Sequence, residues 1–208
     1  DRHWSNHSSF GSVEHRNVAR EAVQKSLVLL KNTEQLLPLD KQTKLFVAGK
    51  NAHNRGHQCG GFTIAWQGTS GNDFILGGTS IWEGIKTVAP NATLSATENG
   101  TDADPSQHDI AIVVVGETPY AEGMGDIRDG DDIVIQAGSQ INGSLKVLEA
   151  YGSSLELAKL HPEDLETITT IVAKGIPVIA VLISGRPLII NPELDASSAF
   201  VAAWLPGS

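Results

Sequence analysis

Residues Asp109–Asp126 read DIAIVVVGETPYAEGMGD. Ile110–Val115 is an unbroken apolar run rich in β-branched residues, too short to span a membrane and typical of a strand buried on both faces. At Gly116 the run stops. A loop of Gly, Pro and acids follows, carrying Glu117, Glu122 and Asp126 around Tyr120. In open parallel α/β sheets the chemistry sits just beyond the carboxyl ends of strands. This loop is therefore the first candidate site, with three carboxylates eligible at this point.

Working outward, the segments on either side alternate between helix and strand patterns. Pro162–Lys174 reads as a helix, with Pro at its start, Glu163 and Asp164 in the first turn and Lys174-Gly175 at its end. Val178–Ile183 is a second buried strand that ends in the turn Ser184–Pro187, and Ala199–Leu205 is a third. Upstream, Ala19, Val23, Leu27 and Leu30 recur at helical spacing, so Glu14–Leu30 is expected to be one helix with Asn32 as its C-cap. Leu45–Ala48 is a short strand. Thr79–Val88 is a helix capped by Thr79 or Ser80 and closed by Pro90, and Thr93–Thr97 is a strand. Apolar strands alternating with helices predict a parallel or mostly parallel α/β sheet.

Three stretches fall outside that alternation. Asp1–Val13 reads as a linker or strap from a neighbouring domain, with the α/β domain occupying 14–208. Lys50–Asn72 is a long aperiodic loop, of the kind that is usually functional; Gly60-Gly61, Phe62, Trp66 and Gln67 favour that reading. Residues 127–160 form an irregular excursion. The sequence stops at VAAWLPGS, just past a strand, and is expected to be a piece of a longer protein.

Composition narrows the function classes. The 208 residues carry a formal charge of −9 and no basic cluster, which argues against a nucleic-acid partner. No run of about 18 apolar residues is present to span a bilayer. One Cys allows no intrachain disulfide. Neither G-x-G-x-x-G nor a P-loop follows a strand, and there is no G-x-S-x-G elbow. Ser184 has no base to pair with and reads as a turn residue. His53, His57 and Cys59 form H-x3-H-x-C, which is not a zinc-module spacing, and Asp126–Asp132 lacks the order of a calcium loop. No metal and no cofactor is expected. Four N-x-[ST] sequons, at Asn6, Asn91, Asn99 and Asn142, lean toward an exported protein.

Among the carboxylates, Glu122 lies between Ala121 and Gly123, where the backbone is free to aim it into a cleft as a proton donor; the bland reading is a solvated loop acid. Glu117, nearer the strand end, suits bracing the loop. Phe62 and Trp66 are suited to stacking on the C–H face of a sugar ring, or to the core.

Four segments taken together resemble the second domain of glycoside hydrolase family 3: EHRNVAREAVQKSLVLLKN (Glu14–Asn32), GGFTIAWQG (Gly60–Gly68), VVVGETPYAEGMGD (Val113–Asp126), and VLISGRPLII with AAWLPGS (Val181–Ile190, Ala202–Ser208). The WQG and YAEG-x-GD segments are similar to the exo-1,3/1,4-β-glucanase branch. The resemblance implies a three-layer α/β sandwich around a mostly parallel, flavodoxin-like sheet, following an N-terminal (β/α)8 barrel absent from this chain. It implies retaining hydrolysis of terminal β-glucosyl units of β-glucans or β-gluco-oligosaccharides, by a secreted or periplasmic enzyme. The Asp nucleophile would lie on the barrel, Glu122 would be the acid/base, and Phe62 and Trp66 would grip the leaving-group sugar. Phe62 stands where Trp is usual in the plant-like members, which leaves less stacking area. The chain alone is then expected to be inactive. The rival expectation is a non-catalytic carbohydrate-binding or domain-docking module, and a third is a nucleotide- or flavin-binding sandwich.

Overall fold

The computed structural model describes residues 7–121, 134–135, 147–148 and 154–208. Among them, six strands form one sheet in the order β1-β8-β7-β4-β2-β3. These are β1 (Val28–Asn32), β2 (Leu45–Ala48), β3 (Thr93–Leu94), β4 (Ile110–Gly116), β7 (Val178–Ile183) and β8 (Ala199–Trp204). A separate antiparallel pair joins β5 (Val134–Ile135) to β6 (Val147–Leu148). In the main sheet every pairing is parallel except β1 with β8. Leaving β1 aside, this is the flavodoxin-like order, with its switch point between β2 and β4. The sequence-based expectation of a mostly parallel α/β sandwich matches what is observed.

The strands alternate strictly between two cores, as a period-2 side-chain pattern requires. Phe46, Ala48, Ala111, Val113 and Val115 point to one face, which is covered by α4 (Leu157–Leu160), α5 (Pro162–Val172) and α6 (Asn191–Ala196). Leu45, Val47, Ile112 and Val114 point to the other, where α3 (Ile81–Val88) supplies Ile81, Trp82 and Ile85. The α3 N-terminus is a capping box: the Ser80 hydroxyl accepts the Glu83 N–H and the Glu83 carboxylate accepts the Ser80 N–H. Hydrogen bonding from the Ser80 backbone, opposed by partial burial and assisted by Arg55, holds the Glu83 carboxyl down at about 2.

The expected helix Glu14–Leu30 is corrected. α1 runs only from Val13 to Ser26, and Leu27 turns extended at ψ 138°. Val28–Asn32 then pairs with β8, Leu29 opposite Val201 and Asn32 opposite Ala199. The helical spacing of Leu27 and Leu30 is overridden by the need of the β8 edge for backbone partners. Asn32 is not the C-cap of α1, a place taken by Leu27; its side-chain amide bridges instead to the backbone of Leu37. Lys31 of β1 reaches the last carbonyls of α6, Leu194 and Asp195. No residue of α1 is buried. Three helices escaped the sequence reading, α2 (Arg55–Cys59), α4 and α6, along with the 3-10 turn Thr33–Gln35. No helix among the described residues is long and apolar enough to cross a membrane.

Candidate active site

Gly116 ends β4 with a φ of +128°, and a Cβ there would stand 1.9 Å from the Ile183 carbonyl of β7. Only glycine fits so close an approach of two strand ends. Beyond it the loop is anchored at once. The Glu117 N–H donates to the Ile183 carbonyl, and the Gly116 N–H donates to Asp164 Oδ2 at the start of α5.

Glu117 is buried, and its carboxylate meets Arg186 and Tyr120. Arg186, from the turn after β7, places Nε 2.9 Å and a terminal guanidinium nitrogen 2.8 Å from its Oε1. The Tyr120 hydroxyl donates to Oε2 at 2.9 Å, and the same guanidinium lies 5.1 Å from the Tyr120 ring centre. Glu117 thus braces the loop through the side chains of Tyr120 and Arg186.

The long loop after β2 contains a short helix, α2 (Arg55–Cys59), and folds back on itself through side-chain anchors. Asn54 Oδ1 accepts both the His57 and Gly71 N–H groups, and Asn72 Oδ1 accepts the Arg55 N–H. Arg55 reaches Glu83 with one nitrogen on both carboxylate oxygens, tying the loop to α3. His57 is buried between Asn51 and Ser70, 2.6 and 2.9 Å from its ring nitrogens. His53 Nδ1 lies 2.7 Å from the Ser80 hydroxyl. These histidines serve the loop's architecture, and no set of three His, Cys, Asp or Glu among the described residues is arranged to hold a metal. The Cys59 thiol is pushed up by burial. Ser184 is a turn residue, its hydroxyl donating to the Arg186 carbonyl.

At the loop's tip, a tight turn joins the Phe62 N–H to the Trp66 carbonyl at 2.9 Å. Phe62 is 68% exposed, with φ at +59°, and Trp66 is half-buried. A bulky residue held at positive φ is a strained arrangement of the kind found at ligand clamps. Phe62 lines a cavity of about 180 Å³ together with His57, Glu117, Tyr120, Gly185 and Leu205. The structure therefore brings the Phe62–Trp66 loop and the loop that follows β4 to one cavity. Glu122 lies outside the described residues, as does the acidic run Asp126–Asp132. Sequence reasoning missed Arg186; its signal was a cation in the turn closing a wholly apolar strand.

Burial, then the charges of Lys50 and His161, lower the His57 pKa to about 4. The unfolded chain, with an ordinary histidine, binds this proton first. The stability this group provides is full above about pH 6.5 and is lost as pH falls toward 4. Asp164 acts oppositely: burial raises its carboxyl to about 6 against the pull of Lys50 and the Gly116 N–H, so it gains stability over much of the same window. His57→Gln is therefore expected to remove about 2–3 kcal/mol of the loss between pH 7 and 4.5. Urea midpoints at the two pH values read this directly, and an unchanged pH dependence in the variant would refute the assignment.

A mostly parallel doubly wound sheet, with a braced carboxylate and an exposed aromatic turn on its strand-end loops, defines an α/β domain of the sandwich type. The chain belongs to glycoside hydrolase family 3: the sequence pattern of the Glycosyl hydrolase family 3 C-terminal domain matches residues 27–208. An exo-1,3/1,4-β-glucanase from a Pseudoalteromonas species is 41% identical and superposes with a TM-score of 0.77, over 95% of this chain and 22% of that one. A β-xylosidase of Formosa agariphila is 30% identical over 95% of this chain, and a lysosomal β-glucosidase of Dictyostelium discoideum 26% over 96%. This chain spans 25% and 23% of those two curated relatives. A Listeria innocua β-glucosidase, 23% identical, shares the fold at a TM-score of 0.68.

Proposed function

We propose that this domain is the acid/base half of a retaining, exo-acting β-glucosidase or β-glucan glucohydrolase, completed by an N-terminal (β/α)8 barrel that carries the Asp nucleophile. In this reading Glu122 donates the proton to the departing glycosidic oxygen, and Phe62 and Trp66 form the wall of the leaving-group subsite. The full-length protein is read as secreted or periplasmic, and the isolated chain as inactive. The observation that carries the reading is spatial: the strained aromatic turn meets the loop leading to Glu122 at one cavity beyond the carboxyl end of β4. Retaining hydrolysis needs a protonated carboxyl about 5–5.5 Å from an ionised one, so a domain supplying one of the pair is complete only beside its partner.

The exposed ring of Phe62 gives the test. In the full-length protein, Phe62→Ala is expected to lower kcat/KM for laminaritriose about 10-fold, equivalent to about 1.4 kcal/mol of lost stacking. β-Glucosyl fluoride, which places no sugar in the leaving-group subsite, should react at nearly the wild-type rate. Equal loss on both substrates would remove Phe62 from that subsite. Parallel assays with β-xylosides ask whether the sugar preference follows the β-xylosidase relative.

A further inference from the structure

The turn that carries Phe62 and Trp66 is joined to the β4 loop at the residue before Glu122. Gln67 Oε1 accepts the N–H of Ala121 at 2.6 Å, and Ala121 is buried. One residue earlier, Gly61 lies so close to the Tyr120 carbonyl that a Cβ on it would stand 2.1 Å from that oxygen. Tyr120 is held again at its hydroxyl by Glu117 and over its ring by Arg186. The two residues leading into Glu122 are thus held at the phenol and the amide, with the Tyr120 carbonyl packed close against Gly61 beside the aromatic turn.

We propose that Gln67 is a positioning residue for the acid/base. By accepting the Ala121 amide, it anchors the residue bonded directly to Glu122. The inference rests on the reading of Glu122 given above. It couples two functions through one hydrogen bond: the turn that stacks on the leaving-group sugar also places the carboxyl that protonates the bond to that sugar. A neutral amide suits the position, because it accepts the hydrogen bond without adding a second charge beside a carboxyl that must stay protonated at rest. A misplacement of about 1 Å in a reacting group costs on the order of 10²-fold in rate.

The test uses the full-length enzyme and two substrates, laminaribiose, whose leaving group needs protonation, and 2,4-dinitrophenyl β-glucoside, whose leaving group does not. Gln67→Met, close in shape but lacking the acceptor, should lower kcat/KM for laminaribiose about 10²-fold and that for the dinitrophenyl glucoside by less than about 3-fold. Gln67→Glu keeps an acceptor and should recover laminaribiose turnover to within about 5-fold of wild type, with the basic limb of the pH profile moved upward by the added carboxylate. Gln67→Ala, which leaves room for water to take the amide, is a second variant for which the same substrate split is required. Glu122→Gln is run in parallel. If Glu122→Gln shows the split and the Gln67 variants lose both substrates equally or neither, the positioning role is overturned and the acid/base reading stands. If Glu122→Gln itself shows no split, the acid/base reading falls and this inference with it.

Discussion

Replacing Glu122 by Gln in the full-length enzyme is expected to slow hydrolysis of laminaribiose by about 10²–10⁴-fold, the usual contribution of a positioned general acid/base. In the first step the carboxyl proton passes to the glycosidic oxygen as the C1–O bond breaks and the nucleophile's carboxylate bonds to C1. In the second, the resulting carboxylate takes a proton from water as that water attacks C1 and frees the nucleophile. A dinitrophenolate leaves without protonation, so the first step with that substrate should be nearly unaffected while the second remains slow. Azide, which attacks without needing a base, should restore turnover and yield β-glucosyl azide. The checks are kcat and kcat/KM for both substrates with and without azide. Equal loss on both substrates, with no azide effect, would exclude Glu122 from this role.

The second large effect is structural. Arg186→Met would leave the Glu117 carboxylate, whose side chain is 2% exposed, without its cation. Removing one partner of a buried pair costs about 3–5 kcal/mol, because the remaining charge has neither water nor counter-ion. The expected result is a loss of that size in urea denaturation, with Tyr120 released from one of its anchors. Glu117→Met combined with Arg186→Met should cost less than Arg186→Met alone, since no charge is then stranded. A single-variant loss below about 1 kcal/mol would show that the pair is solvated in practice.

Most of the sheet was legible in the sequence because buried parallel strands are written as unbroken apolar runs. Leu45–Ala48, Ile110–Val115, Val178–Ile183 and Ala199–Leu205 each match an observed strand within a residue. Ser80 and Pro162 marked helix starts through chemistry local to a single turn. β1 was not legible: VLLKN has an apolar run compatible with either period, and only the unpaired edge of β8 selects the strand. α6 was hidden for a related reason. Its six residues are too few for a helical period to declare itself.

The candidate site divides in the same way. Residue type and local pattern made Glu122, Phe62 and Trp66 eligible beside blander readings, because a carboxylate loop after a buried strand and aromatics among glycines are local signals; the resemblance to family 3 singled them out. What holds these segments depends on tertiary structure. Gln67 meets Ala121 across 54 residues of chain, and Arg186 meets Glu117 across 69. Hydrogen bonds and ion pairs at such separations leave no periodicity in a sequence. They exist because parallel strands bring their carboxyl ends, and the loops that follow, to one edge of the sheet.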